Sequence, residues 1–188
     1  MKRRYTPACL CLSLFVALAT TPAVFAQTNS PQADRAAPAP SATTRAPDAK
    51  FVEAASGAGL AEVALGQIGA DKGQSAAVKT FGQQMVTDHT AANDELKAIA
   101  GGKSIPVSKL PPASDTKAAA MLSNKTGTEF DTGFKKRMVA DHKKVVALFT
   151  KESKSGKDPE LKAFATKTLP ILQHHLDMAE QLPEGKDA

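Results

Sequence analysis

Tryptophan is absent from the 188 residues, tyrosine occurs once and cysteine twice. Tyr5, Cys9 and Cys11 all fall in the first 26 residues, so the rest of the chain carries no thiol, phenol or indole. That removes a cysteine nucleophile, Cys-ligated zinc, iron–sulfur clusters and disulfides from the chemistry open to it. It also removes the usual aromatic platforms for sugars and single-stranded nucleic acid, so no nucleic-acid partner is expected. There is no Gly-x-Ser-x-Gly elbow and no Gly-rich phosphate loop, which argues against a nucleophilic hydrolase or a P-loop enzyme. Glu-x-x-His is missing as well, and with it the standard di-iron site of ferritin-like bundles. No β-type alternation occurs, and no apolar run reaches the ~20 residues of a transmembrane helix.

What is present begins with a leader. Lys2, Arg3 and Arg4 form a basic start, Ala8 to Ala19 is uncharged and apolar, and Val24-Phe25-Ala26 ends in a small residue. Residues 1–26 are therefore expected to be a cleavable signal peptide, and the chain to be exported to the periplasm or to the outer membrane. Loss of the three basic residues lowers the net charge of +5 by three, to +2, too mild a value to dictate a partner. Residues 27–48, rich in Pro, Ala, Ser and Thr, read as a disordered tether, and 184–188 as a disordered tail.

Residues 49–183 read as one all-α domain. The first long helix is expected from about Ala49 to Ala70. The second runs from the N-cap Ser75 to about Ala100, where Gly101-Gly102 follow. A Pro-containing connection holds a short helix from Asp115 to Leu122. The third long helix starts near Thr126 or Thr128 and runs to Lys154; the fourth opens on Asp158-Pro159 and ends before Pro183, with Pro170 inside it. Short turns make two antiparallel hairpins. The connection of roughly Gly101 to Lys125 is long enough to run the length of a four-helix bundle, as in ferritin-like topologies with one crossover between helices two and three. Two echoes run along the chain. Phe81-x3-Met85-Val86-x-Asp88-His89 matches Phe134-x3-Met138-Val139-x-Asp141-His142, and Val78-Lys79-Thr80-Phe81 matches Leu161-Lys162-Ala163-Phe164. Duplication of a two-helix unit would explain the second match, and bundle patterning alone could produce both.

Each long helix offers one titratable group on its apolar stripe: Glu62, His89, His142 and His175. Buried, these groups must be paired, hydrogen-bonded or bound to an ion, because each costs several kcal/mol otherwise. Imidazole and carboxylate suit iron, manganese, zinc or copper. Asp131 shares the face of His142 and is the second choice of ligand. Asp88 and Asp141 point about 100° away from the histidines they precede and are expected to orient or solvate them. Axial spacing predicts a mismatch of ~8 Å between Glu62 and His89 at 1.5 Å per residue, so two smaller clusters or a polar ladder are expected rather than one compact site. Lys135, Lys136, Arg137, Lys143, Lys144, Lys151 and Lys154 crowd the third long helix, either as a solvated face or as a surface for anionic envelope components.

The Asp-His pair motifs, with Phe130-Asp131 and Leu169-Pro170-x4-His175-Leu176, resemble the bacterial exported "domain of unknown function" proteins of the ferritin-like superfamily, often labelled periplasmic or outer-membrane proteins. The resemblance covers about Phe51 to Leu182. It implies a four-helix ferritin-like bundle in the cell envelope, with motif positions at Glu62, His89, Asp131, His142 and His175, and it brings no established activity. Three functions stay open on the sequence. They are a non-enzymatic exported bundle connected with stress or envelope maintenance, a metal-binding or redox protein, and an adaptor for anionic envelope polymers.

Overall fold

The computed structural model describes residues 42–184, with side-chain surroundings from residue 47 onward. The expected leader and most of the tether, residues 1–41, and the tail 185–188 lie outside the described residues. Among those described, all regular structure is helical. The helices are α1 (Ala42–Lys72), α2 (Ala76–Gly102), α3 (Ala113–Ser123), α4 (Gly127–Ser155) and α5 (Pro159–Gln181). The tether was expected to reach Asp48, but α1 starts at Ala42 and carries Pro47 within it. The physical reason lies in Asp48, which is buried and tied to a distant turn, so the chain is already anchored where composition alone suggested a spacer.

The helix boundaries follow local chemistry. Ser75 caps α2 by accepting the Val78 amide, and Asp158 caps α5 by accepting those of Glu160 and Leu161, with Pro159 behind it. Gly127 opens α4 with φ +59°, a left-handed conformation that a side chain would penalise. α5 continues through Pro170.

α1 packs along α2 and α4 along α5, and the two hairpins meet chiefly through α1–α4 and α2–α5. Their turns lie at opposite ends, and each is held by the other hairpin. Asp131, near the start of α4, accepts the amides of Gln74 and Ser75 at 2.9 and 2.8 Å. Asp48, near the start of α1, accepts those of Lys157 and Asp158 at 3.0 and 2.8 Å. The connection from α2 to α4, which contains α3, therefore runs the length of the bundle.

This reciprocity bears on the echoes. Asp48 and Asp131, Phe51 and Phe134, Gly73 and Gly156, Ser75 and Asp158, and Phe81 and Phe164 are each separated by 83 positions. The edge-to-face pair Phe51–Phe164 (6.5 Å) is matched by Phe134–Phe81 (6.1 Å). The second echo thus reports a repeated two-helix unit. The first echo, linking α2 to α4, joins helices that are not equivalent in the fold and reflects shared core patterning.

Two apolar cores fill the bundle. One, around Phe51, Leu96, Phe149, Leu161 and Phe164, lies toward the α4–α5 turn. The other, around Leu65, Phe81, Met85, Phe130, Phe134 and Met138, lies toward the α1–α2 turn. Each such side chain, once buried, contributes about 1.5–3 kcal/mol. Between the cores the stripe is interrupted by polar groups.

Candidate metal centre

Four polar side chains occupy that middle layer: Glu62, His89, His142 and His175, all 5 % exposed or less. Their depths agree when counted from the end that holds the α4–α5 turn. Glu62 follows Asp48 by fourteen residues, His89 precedes Gly102 by thirteen, His142 precedes Ser155 by thirteen, and His175 follows Pro159 by sixteen. A spread of three residues is only about 4–5 Å along a helix. Side chains also lean toward the N-terminus of their own helix. Those of α1 and α5 lean toward the α4–α5 turn, and those of α2 and α4 lean away from it, so the lean brings His175 level with His89 and His142. The expected separation is therefore corrected for the three histidines, which meet at one level, whereas Glu62 does not join them. It rested on axial counting from the turns and left out the opposed lean of antiparallel side chains.

The three imidazoles form a near-equilateral triangle, with ring centroids 5.4, 5.5 and 5.6 Å apart. One nitrogen from each ring lies within 4.8 Å of the other two. Each ring has a buried nitrogen with no hydrogen-bond partner: Nε2 of His89, Nε2 of His142 and Nδ1 of His175.

For two of the rings the opposite nitrogen is fixed. His142 Nδ1 lies 2.9 Å from the Met138 carbonyl, and His175 Nε2 lies 2.8 Å from Asp88 Oδ2. A carbonyl and a carboxylate can only accept, so these nitrogens carry the hydrogen and the others present lone pairs. Burial then keeps the rings neutral. It lowers His142 to about 4, lowers His89 well below the usual histidine range with help from the other two rings, and lowers His175 against the opposing pull of Asp88. Neutral imidazole is the form that binds a metal.

Glu62 stands apart from the triangle. Its Oε1 is 3.9 Å from His142 Nδ1, the nitrogen held by the Met138 carbonyl, and Oε2 has no partner. Burial pushes its carboxyl up to about 8, with Asp141 adding and Arg137 opposing. Glu62 is accordingly a neighbour behind a ring rather than a fourth member of the cluster. Asp131 is elsewhere: both of its oxygens are engaged by the α1–α2 turn, which removes it from the ligand set. Asp88 orients a ring as expected, although the ring belongs to α5 and not to its neighbour His89. Asp141 instead accepts from Arg137, which also donates to Asp115 of α3 at 2.6 Å and fastens the crossover helix to α4.

The basic face of α4 is partly neutralised within the molecule. Lys135 reaches Glu184, Arg137 reaches Asp115 and Asp141, Lys143 reaches Glu180, and Lys144 reaches Asp141.

The donor set fits a transition metal. Three nitrogens at ~2.1 Å from one ion stand roughly 3.4–3.6 Å apart, so each ring needs to move inward by less than about 1 Å. The ring–carboxylate and ring–carbonyl bonds are the outer contacts that orient metal-binding histidines.

Residues 32–182 match the family profile described as "Domain of unknown function (DUF4142)". The chain is also similar to a solved structure titled "Crystal structure of DUF305 fragment from Deinococcus radiodurans". That similarity has a TM-score of 0.64 and 14% identity, and it covers 72% of this chain and 93% of the other. At that identity it speaks for the helical fold alone. No curated protein matches the chain.

Proposed function

The chain belongs to the DUF4142 family, a domain of unknown function, and from that premise we propose that it is a metal-binding helical bundle holding one transition-metal ion at His89, His142 and His175. The observation that carries this reading is three buried imidazoles with one nitrogen of each within 4.8 Å of the others, every ring keeping one nitrogen without a partner and two rings having the other nitrogen pinned. Apolar burial alone would leave those lone pairs unsatisfied at about 1–3 kcal/mol each. An all-nitrogen set suits zinc, copper or iron better than manganese or calcium. When bound, such an ion supplies Lewis-acid or electron-transfer chemistry.

The test is metal analysis of untagged protein after exposure to copper(II) or zinc(II) and desalting. About one equivalent per chain is expected, with near-zero retention in His142→Ala and affinity weakened by roughly 10–100-fold in Asp88→Asn. Equal, near-zero metal in parent and His142→Ala would end the reading.

The bundle is further assigned to the ferritin-like group, on the strength of its two hairpins and single long crossover. We assign it to the cell envelope on its basic, apolar, small-residue leader. The chain recovered from an envelope fraction should begin at Gln27; an intact Met1 terminus in the cytoplasm would refute that assignment.

A further inference from the structure

A cleft of about 340 Å³ opens between α2 and α5, and its inner wall is formed by His89 and His175. His142, the third ring, is fully buried on the far side, with Phe81 edge-on to it at 6.3 Å. Ala91, Ala92, Ile171 and Leu172 line the sides of the cleft, and Thr168 is its one lining hydroxyl. Near the mouth Lys167 reaches both oxygens of Glu95 at 2.6 Å, so the charges there are paired with each other.

We propose that this cleft delivers a small monodentate ligand to an open coordination position on the ion. The proposal rests on the metal reading above. Three protein ligands leave a tetrahedral or five-coordinate ion at least one position short, which is the pattern of reactive rather than structural sites. Two of the three rings border the cleft, which makes it the route by which a ligand would reach the ion. His142 lines neither this cleft nor the one of about 310 Å³ between α1 and α4, which ends at Glu62 and Asp141 beside it. The chemistry of the cleft limits what can enter. Its apolar sides, and the Asp88 carboxylate beside His175, penalise a polyanion or a bulky chelate. Three neutral imidazoles leave the ion's full positive charge to attract a small anion or a polar neutral donor. The ligand class is therefore a few-atom donor on the scale of water, hydroxide, azide or peroxide, with Thr168 placed to hydrogen-bond it.

The experiment uses full-length protein loaded with copper(II) and titrated with azide, following the azide-to-copper charge-transfer band. Saturable binding of one azide per copper is expected. Two variants narrow the cleft from opposite walls at exposed positions, Ala91→Trp on α2 and Ile171→Trp on α5. Each should weaken azide by at least about tenfold while copper affinity stays within about twofold of the parent.

A copper-loaded parent that shows no azide band overturns the proposal. So does azide affinity unchanged in both variants. Failure of the parent to retain copper at all is a separate result: it removes the metal centre before azide is added.

Discussion

Glu152 shows how one buried acid makes the fold sensitive to pH. It is 6 % exposed near the end of α4, and its Oε1 lacks a partner. Burial and the neighbouring Asp48 carboxylate push it up from 4.5 to about 7. Between those values the folded chain keeps a proton that the unfolded chain has released, so stability falls as pH rises through that window. Glu152→Gln should remove this part of the decline. The difference between the two urea-unfolding curves should grow by about 1–2 kcal/mol from pH ~5 to ~8, a discounted share of the full linkage value. Parallel curves would show that Glu152 is ionised in the fold without cost. The histidines act with the opposite sign. Their values are lowered, so their contribution is complete above the usual 6.5 and is lost as the folded rings take up protons, at about 4 for His142. At this scale the sequence named Glu62, His89, His142 and His175 as inward, because each sits on a stripe of apolar neighbours at helical spacing. It missed Asp48, whose Pro- and Ala-rich surroundings look like a spacer and whose partners lie 109 and 110 positions away.

Apart from the start of α1, the helices came through with boundaries near those expected, since Ser75, Asp158-Pro159 and the glycines around the turns are local signals. The arrangement of the elements depends on two remote contacts. Each hairpin turn presents two backbone amides that only the other hairpin's aspartate satisfies. Asp131→Ala should therefore cost about 2–4 kcal/mol, the scale of losing charge-assisted bonds to partly buried amides. Asp48→Ala should cost a similar amount, because the two sites are related by the internal repeat. Urea unfolding checks both; a loss below about 0.5 kcal/mol in each would mean that water replaces the carboxylates. Asp131 also shows why the sequence misassigned it. It shares the face of His142, but helical spacing fixes direction and not the end of the bundle at which a residue meets its neighbours.

Across the whole molecule, the proposed ion would join the hairpins, taking His89 from the first and His142 and His175 from the second. A ligand that binds only the folded chain stabilises it by about 2.7 kcal/mol at one hundred times its Kd. For a domain of this size that is a rise in Tm of roughly 5–10 °C. Far-UV circular dichroism should show it, reversed by a chelator and absent in His175→Ala. An identical rise in His175→Ala would place the ion elsewhere.

The all-helical class, the two hairpins, the long crossover and the identity of the inward polar residues are written in the chain itself. They rest on periodicity, caps and loop lengths, all of which act over a few residues. The sequence could not decide whether those residues meet. Axial counting placed them apart, and convergence came from the opposed lean of side chains on antiparallel helices together with the register set by Asp48 and Asp131. Register between helices is a property of contacts distant in sequence, so only the tertiary structure brings three imidazoles into one site and opens a cleft beside it.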